Sequence, residues 1–289
     1  MIIDFRVKPP YKGFRDFYVF RPRPPFADPS ARPTLAIGRP RMPSVEQRSW
    51  ELFLQEMDEA RIDRVVLMGA QFSYAFGWMS NDEIAEITRD RPERFVAFSG
   101  IDPTDPEGAA RRLHERSPGL GSRASRRIRP GRRRRSTPTT RASIWCTRPV
   151  SASARSAPSP PVSSWDPTSG TAIRFHIQRV AMRFPDLRIV VGHAWWPHLP
   201  TMVGVAMQYA NVYLAPDFYA YIPSTPMVHE FARAADSYLR HRLLYSSGYP
   251  VRPPGQSVDE FRQRPFEPEV MENCLWRNAA RLLDLPPAA

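Results

Sequence analysis

Short apolar runs alternate with amphipathic stretches along most of the 289-residue chain. Continuous apolar runs set between helical patterns are typical of parallel strands that are covered on both faces. The runs predict strands over Ile2–Phe5, Arg64–Leu67, Phe95–Ile101, Leu187–Gly192, Asn211–Leu214 and Leu243–Ser246. The amphipathic stretches predict helices over 45–60, 81–90, 176–183, 201–209, 227–235 and 268–283, and one that ends near residue 116.

Eight strand–helix units account for this pattern if two of them fall within residues 119–175. Ser44 and Asn81 are the expected N-caps of the first two helices, because short polar side chains satisfy the exposed N–H groups at a helix start. Residues 7–43 are expected to form a Pro- and Arg-rich loop. A (β/α)8 barrel typically needs about 250 residues, so the chain is predicted to be one barrel domain over 1–289.

Residues 119–175 interrupt the pattern. From Gly121 to Arg174 the chain holds twelve arginines and one acid, Asp166, so this stretch carries +11 of the net charge of +12. It is rich in Ser, Pro and Thr and has neither strand nor helix periodicity. Such a composition buries too little apolar surface to offset its ordering entropy. We therefore predict an aberrant, disordered or badly packed segment that disrupts the barrel around strands four and five.

Two explanations of this segment stay open. One is a basic linker, although a structureless stretch of about 50 residues is unusual inside a compact domain. The other is a frameshift in the coding sequence. With a single shift of frame, 137–146 (TPTTRASIWC) is compatible with ADDPRIYLVY and 163–173 (SSWDPTSGTAI) with IMGPYIGDRDP, which resemble strand ends and helix starts.

The remaining composition excludes several classes of protein. Outside the basic segment the chain is nearly neutral, which argues against a nucleic-acid-binding protein. No apolar run approaches the roughly 20 residues that span a bilayer, so no membrane partner is expected. The first residues, MIIDFRVKPP, lack the pattern of a signal peptide, and we expect a cytoplasmic protein. Two cysteines, Cys146 and Cys274, indicate neither a disulfide framework nor a cysteine-type zinc site.

Four stretches resemble the amidohydrolase-related family, which includes aminocarboxymuconate-semialdehyde decarboxylase, resorcylate-type decarboxylases and various hydrolases. These stretches are FPDLRIVVGHAWWP (184–197), RLLYSSGYP (242–250), IDPTDP (101–106) and NAARLLDL (278–285). The likeness covers roughly residues 1–118 and 175–285. It implies a (β/α)8 barrel that acts on C–N, C–O or carboxylate C–C bonds, usually with zinc.

The chain departs from the family at most metal-ligand positions. Members usually begin with Asp-x-His-x-His, whereas this chain has Arg6 and Lys8 at the two histidine positions that follow Asp4. The family's Gly-Ser-Asp-Tyr-Pro at the eighth strand is Ser-Ser-Gly-Tyr-Pro here, which places Gly248 at the carboxylate position. Only His193 matches a family ligand. Because neither Arg nor protonated Lys can ligate a metal, we predict no tightly bound metal and no cofactor.

The carboxyl ends of barrel strands meet on one face, where (β/α)8 enzymes have their active sites. We therefore predict that His193 and Asp217 are catalytic, with His193 as general acid or base. The predicted substrate-binding residues are Arg6, Lys8, Tyr249 and Trp195. Each also has a structural interpretation: an ion pair for Arg6, a loop position for Lys8, a core hydrogen bond for His193 and a loop cap for Asp217. Trp195 would then form a wall, and Tyr249 would have no catalytic role.

Three functions follow from the sequence. The first is a hydrolase or carboxy-lyase for a small, carboxylated organic substrate. The second is a non-catalytic or damaged barrel, since the loss of two strands would expose sheet edges. The third, less favoured, is binding of an anionic polymer through RRIRPGRRRR (126–135), a run that lacks interleaved aromatic residues. The expected partners are a small-molecule substrate and, because family members often pair through helices, a second copy in a homodimer.

Overall fold

The structure, a computed structural model, describes residues 1–17, 20, 42–69, 79–100, 144–147 and 170–285. Within these ranges the strands are β1 (Ile3–Val7), β2 (Arg64–Met68), β3 (Phe95–Phe98), β4 (Ile144–Thr147), β5 (Arg188–Gly192) and β6 (Val212–Ala215). The α-helices are Pro43–Glu46, Trp50–Glu59, Asn81–Asp90, Gly170–Arg183, Leu199–Gln208, Val228–Asp236, Pro254–Arg262, Pro268–Glu272 and Asn278–Leu282. A π-helical turn, Asn273–Arg277, joins the last two into one C-terminal helix. Short 3-10 turns cover Lys12–Asp16, His193–Trp195 and Asp217–Ala220.

The parallel strands form one hydrogen-bonded arc. β1, β2 and β3 pair in chain order, and β5 pairs with β6. The predicted strand Leu243–Ser246 joins the two halves by only a few bonds: Leu243 bridges Leu214 of β6 in parallel, and the Phe5 N–H of β1 donates to the Tyr245 carbonyl at 3.0 Å. The order is therefore β3, β2, β1, 243–246, β6, β5, and among the described residues this arc does not close into a ring.

β4 departs from the parallel order. It lies inside the predicted aberrant segment and pairs antiparallel with β5, with Ile144 opposite Val191. A parallel barrel has no place for such a pair, since each crossover helix returns the chain in the same direction. Apart from β4 and residues 170–175, the segment 119–175 lies outside the described residues, as does the predicted helix that ends near residue 116.

Both predicted N-caps are wrong, Ser44 by five residues and Asn81 by one. The stretch 45–60 is two helices, and Ser49 caps the second by accepting from the Leu52 N–H at 3.2 Å. The helix Asn81–Asp90 is capped by Ser80 in a reciprocal capping box with Glu83. A side-chain acceptor placed one residue before the first helical turn stabilises a helix by about 1 kcal/mol, and both serines hold that position.

The core has two parts because the parallel strands are apolar on both faces. One face packs against the helices, for instance Val65 and Leu67 in one cluster with Phe53 and Met57 of helix Trp50–Glu59. Complete burial of a Phe or Met side chain stabilises the fold by about 1.5–3 kcal/mol. The residues of the other faces form a smaller cluster with the C-terminal helix: Ile3, Phe5, Val66, Met68, Val190, Ala215, Leu244, Ala279, Ala280 and Leu282.

The C-terminal helix closes the end of the arc at which the strands begin. Arg188, the first residue of β5, donates to the Leu282 carbonyl at 2.6 Å and pairs with Asp284 at 2.9 Å. The opposite end, where the strands finish, carries the polar residues discussed next. Within the described ranges every helix is too short or too polar to cross a lipid bilayer.

Candidate active site at the strand ends

Four chain segments bring polar side chains to the end of the arc at which the strands finish. Arg6 lies in the last part of β1, His193 directly follows β5, and Asp217 is the second residue after β6. The strand-like segment 243–246 ends at Ser246. The pairing register of β1 shifts between Asp4 and Val7, a bulge of the kind that redirects side chains near active sites. We call the group formed by Arg6, His193 and Asp217 the strand-end triad.

Asp217 is the centre of the strand-end triad. Its side chain is fully buried, and Oδ2 contacts the Arg6 guanidinium in a short ion pair. The same oxygen lies 2.8 Å from Nδ1 of His193, an electrostatic contact that lacks the geometry of a hydrogen bond. The Asp217 N–H donates to Oγ of Ser246 at 2.9 Å, which ties the loop after β6 to the neighbouring segment. The structure therefore brings together three of the residues that the sequence predicted for the site.

Burial and charge set the protonation states of the triad. Burial alone would raise the pKa of Asp217, but the Arg6 guanidinium and His193 outweigh burial and hold that pKa below its usual value. Burial, together with the nearby charge of Arg6, lowers the pKa of His193. At neutral pH the triad thus contains an ionised carboxylate, a guanidinium and a neutral imidazole. The imidazole keeps 22% of its side-chain surface exposed, so a ligand can reach it.

The backbone that presents these groups is strained. His193, Ala194 and Trp195 have φ values of 58°, 45° and 62°, and Asp217 has a φ of 57°. The left-handed region costs a residue with a side chain roughly 1–2 kcal/mol. Such conformations persist where the surroundings over-determine them, and they cluster at active sites. The loops after β5 and β6 are therefore held in a shape that local preference does not favour.

Two ionisable groups, Asp4 of β1 and Lys8 directly after it, flank the triad. Asp4 is fully buried, its Oδ1 accepts from the Ser247 N–H at 2.9 Å, and burial raises its pKa to about 7. Lys8 is partly exposed, its N–H donates to the Tyr249 carbonyl at 3.2 Å, and desolvation followed by the charge of Arg6 lowers its pKa to about 7. The sequence named Asp4 only as the start of a motif. A carboxylate inside an apolar strand was the signal for a perturbed group.

An aromatic wall stands beside His193. The ring of Tyr219 meets His193 edge-on at 5.5 Å between centroids and stacks on Trp196 at 4.7 Å. Sequence reasoning missed Tyr219, because a tyrosine in a loop after a strand carries no distinctive pattern. Trp195 is 8% exposed, and its indole N–H is buried without a hydrogen-bond partner among the described residues. Trp195 is thus part of the core beneath the turn.

The side chain of Tyr249 is packed in the core rather than exposed to a ligand at the strand ends. It is 2% exposed, its hydroxyl lies 2.7 Å from Oγ of Ser44, and its ring meets Phe53 at 5.0 Å. Ser44 in turn donates to the Glu56 carboxylate at 2.5 Å. The residue that the sequence proposed as a helix cap is therefore part of a buried hydrogen-bonded chain from Glu56 to Tyr249.

The described residues at the strand ends do not fit a divalent metal. Among them, no group of three or more His, Cys, Asp or Glu side chains is positioned to hold a metal ion. His193 and Asp217 supply two donors, but the Arg6 guanidinium already occupies the side of Asp217 that a cation would use. A like charge at about 4 Å costs roughly 4 kcal/mol per unit charge at an effective dielectric near 20, and twice that for a divalent ion.

An arc of parallel strands with polar groups at the strand ends is a feature of (β/α)8 enzymes. Within that class, the sequence profile of the family described as Amidohydrolase matches residues 30–285. The chain belongs to this family, and its enzyme class is that of a hydrolase or decarboxylase. The match begins beyond β1, so the correspondence of Arg6 and Lys8 to the family's histidines rests on their place in that strand and directly after it. The predicted family is confirmed.

Solved structures show the same fold. An uncharacterised TIM-barrel protein of Bordetella bronchiseptica is 25% identical, with 98% of both chains covered and a TM-score of 0.68. The 5-carboxyvanillate decarboxylase LigW of Sphingomonas paucimobilis is 16% identical over 99% of this chain and 98% of its own, with a TM-score of 0.52. The 5-carboxyvanillate decarboxylase of Novosphingobium aromaticivorans, complexed with manganese, is 14% identical over 99% and 96%, with a TM-score of 0.53. No curated protein matches the chain.

Proposed function

We propose that this amidohydrolase-family chain is a hydrolase or carboxy-lyase for a small, carboxylated organic substrate, and that it works without a bound metal. The observation that carries the proposal is the 2.8 Å contact between His193 Nδ1 and Asp217 Oδ2 at the strand ends. A histidine whose Nδ1 faces a carboxylate presents its other ring nitrogen for proton transfer. The decarboxylase names of the two similar structures support a carboxylated substrate.

Each member of the triad has a role in this proposal. His193, neutral at pH 7, takes a proton from the substrate or from a water molecule and returns it later in the reaction. Asp217 orients the imidazole and stabilises the imidazolium that forms. Arg6 holds Asp217 ionised and, with Lys8, contributes the positive potential that favours a substrate carboxylate or a developing oxyanion.

Turnover by chelator-treated protein tests the proposal. A panel of hydroxybenzoates and 3-oxo acids would be followed for release of CO2, and a panel of esters and lactones for hydrolysis. His193→Asn should lower turnover by about 100-fold or more, and asparagine tolerates the left-handed backbone of this position. His229→Asn, at an exposed position of helix Val228–Asp236, is the matched control and should change nothing. Equal activity of the two variants would overturn the role of His193.

Metal analysis of the same preparation tests the second part of the proposal. The protein after chelation and gel filtration should hold far less than one equivalent of zinc, manganese or iron, and activity should not rise when these ions are returned. One tightly retained zinc per chain, with activity that depends on it, would show that Arg6 and Lys8 do not replace the metal.

A specific observation favours the alternative of a non-catalytic or damaged barrel. β4 runs antiparallel to β5, where the family fold continues in parallel, and it lies in the segment 119–175. A frameshift that removes two strand–helix units explains such an arrangement. The DNA sequence across codons 115–178 and the intact mass of the native protein test it. A barrel disrupted in this way should unfold with low cooperativity and bind a dye for exposed apolar surface, whereas cooperative unfolding and turnover would exclude damage.

A further inference from the structure

The Asp4 carboxyl joins the two chain segments that carry the ends of the Arg6–Asp217 ion pair. Its Oδ1 accepts the Ser247 N–H at 2.9 Å and the Arg6 N–H at 3.3 Å. The first of these bonds ties β1 to residues 246–248, and the second lies within the bulge of β1. One oxygen atom therefore restrains the backbone of Arg6 and that of the segment 246–248 together.

The segment 246–248 transmits this restraint to Asp217. Oγ of Ser246 accepts the Asp217 N–H at 2.9 Å. Gly248 packs so closely that an added Cβ would lie 3.3 Å from Cβ of Asp217. Both serines of the segment are buried, which leaves them little room to move. A shift of this segment would therefore carry the Asp217 carboxylate away from the other two members of the strand-end triad.

The position of Asp4 does not need a carboxyl for packing. Its neighbours along the chain are buried apolar side chains, and Asp4 itself is fully buried: the neighbours are Ile2, Ile3, Phe5 and Val7. A carboxyl in such surroundings loses its hydration and destabilises the fold unless hydrogen bonds offset the loss. Oδ2 is buried without a hydrogen-bond partner among the described residues. The compensation therefore comes through Oδ1, the atom that bonds to both segments.

We propose that Asp4 is a positioning residue, which holds the Asp217 carboxylate in contact with Arg6 and beside the imidazole of the strand-end triad. Because its side chain is fully buried, Asp4 acts through the backbone of β1 and of residues 246–248. The effect on the ion pair needs no substrate. The effect on turnover rests on the proposed function, since a catalytic group that is misplaced by about 1 Å can lower a rate by about 100-fold.

A double-mutant cycle with urea unfolding tests the positioning without a substrate. Asp4→Ala removes both hydrogen bonds, whereas Asp4→Asn keeps an acceptor oxygen and cannot ionise. In the Asp4→Ala background, Asp217→Asn should shift the urea midpoint by about half of its shift in the wild-type chain or less, because the ion pair is already weakened. In the Asp4→Asn background the shift should be as large as in the wild-type chain or larger, since only the repulsion between the two carboxyls is lost.

Asp63→Ala is the matched control for the cycle. Its Oδ2 also accepts a main-chain N–H next to β1, that of Ile2 at 2.6 Å, but at the end of the arc where the strands begin. This variant should lower the urea midpoint and leave the Asp217→Asn shift unchanged. Equal Asp217→Asn shifts in the wild-type, Asp4→Ala and Asp63→Ala chains would overturn the proposal. If Asp4→Ala does not fold, Ser246→Ala removes the next link and must reduce the shift in its place.

Turnover separates the failure of this inference from the failure of the proposed function. With a substrate of the carboxylate panel, Asp4→Ala should lower kcat by about tenfold or more, and Asp4→Asn should restore most of that loss. Asp63→Ala should leave kcat unchanged. Equal losses in Asp4→Ala and Asp4→Asn would mean that the charge matters instead of the two bonds, which contradicts the positioning. If the protein turns over no member of the panel, the proposed function fails, and a reduced Asp217→Asn shift in Asp4→Ala still supports the positioning.

Discussion

The imidazole Nδ1 of His193 lies 2.8 Å from the carboxylate Oδ2 of Asp217, although the two residues follow different strands. Pairing of β5 with β6 aligns Gly192 with Ala215, so the chain leaves both strands at the same level. The left-handed backbones of His193 and Asp217 then direct the side chains towards each other. The contact depends on sheet register and on two strained loops together, and each can be tested.

Asp217→Asn should destabilise the fold by about 3 kcal/mol or more. Removing one partner of a buried ion pair leaves the other charge uncompensated, and both side chains are largely buried here, at 11% and 0% exposure. Asparagine keeps the size of the side chain and tolerates a positive φ, so charge is the main change. Urea unfolding of this variant would be compared with Asp186→Asn at an exposed position. Equal midpoints for the two variants would mean that the pair is not buried in solution.

Asp4 should make the protein less stable as pH rises from about 4 to about 7. Its pKa is 3.8 in the unfolded chain and about 7 in the fold, so the folded state binds more protons across this window. The contribution of Asp4 to the free energy of unfolding is complete below pH 4 and is lost above pH 7. The loss amounts to at most about 4 kcal/mol. Asp4→Asn keeps the acceptor for the Ser247 N–H and should remove this slope in pH-dependent urea unfolding. An unchanged slope in Asp4→Asn would mean that a group other than Asp4 titrates in this pH range.

Lys8 should make the protein more stable as pH rises above about 7, the opposite of the effect of Asp4. Its pKa falls from 10.5 to about 7 on folding, so between these values the unfolded chain binds more protons and stability rises with pH. Lys8→Met should flatten the rise between pH 7 and 10, whereas Lys12→Met should not, because the pKa of Lys12 is raised instead. A Lys8→Met variant that retains the full slope would refute the desolvated amine.

Tyr249→Phe should lower stability by about 1–2 kcal/mol and leave the apparent KM unchanged. The variant removes one partner of a buried hydrogen bond and leaves Oγ of Ser44 with the Glu56 carboxylate alone. Tyr238→Phe, at a residue that is 46% exposed, is the control. If Tyr249→Phe instead raises KM without loss of stability, the sequence-based assignment of Tyr249 to substrate binding is right and packing is secondary.

Gly248→Ala should cost about 1–2 kcal/mol, while Gly204→Ala should gain about 0.5–1 kcal/mol. Gly248 has a φ of 70°, and an added Cβ would lie 3.2 Å from Phe218 Cδ1 and 3.3 Å from Asp217 Cβ. Gly204 lies in the helix Leu199–Gln208 with nothing within 4 Å of an added Cβ. Thermal unfolding would compare them. A neutral Gly248→Ala would mean that the family's carboxylate could be restored here without strain.

Most strands and helices of the described ranges could be predicted from periodicity. Apolar runs such as Arg64–Met68 and Arg188–Gly192 match their predicted bounds to within one residue. Helix Pro254–Arg262 was missed because Pro253, Pro254 and Gly255 suggest a loop, although proline is well tolerated at the first position of a helix. The strand Leu243–Ser246 forms only a single bridge, because its backbone also bonds to the C-terminal helix through the Cys274 carbonyl.

The sequence could predict which residues lie at the candidate site, but not which of them contact each other. The rule that strand ends converge placed Arg6, His193 and Asp217 together. It does not state which cation meets which carboxylate, because that depends on the bulge in β1 and on the loop backbones. Tyr249 shows that a sequence motif does not fix the direction of a side chain. It belongs to the Tyr-Pro pair that ends a family signature, yet its hydroxyl points towards Ser44. Side-chain direction after a strand is set by tertiary packing, which periodicity does not contain.

The turn at 193–195 has a consequence for how the enzyme would fail on heating. Three successive residues with side chains occupy a conformation that only glycine adopts freely, so this loop is the least favourable part of the backbone around His193. Strain of this kind persists only while the surrounding packing holds it, so the turn is expected to relax as soon as heating loosens that packing. Inactivation should therefore precede global denaturation, with catalysis fading while the circular dichroism of the scaffold is still intact.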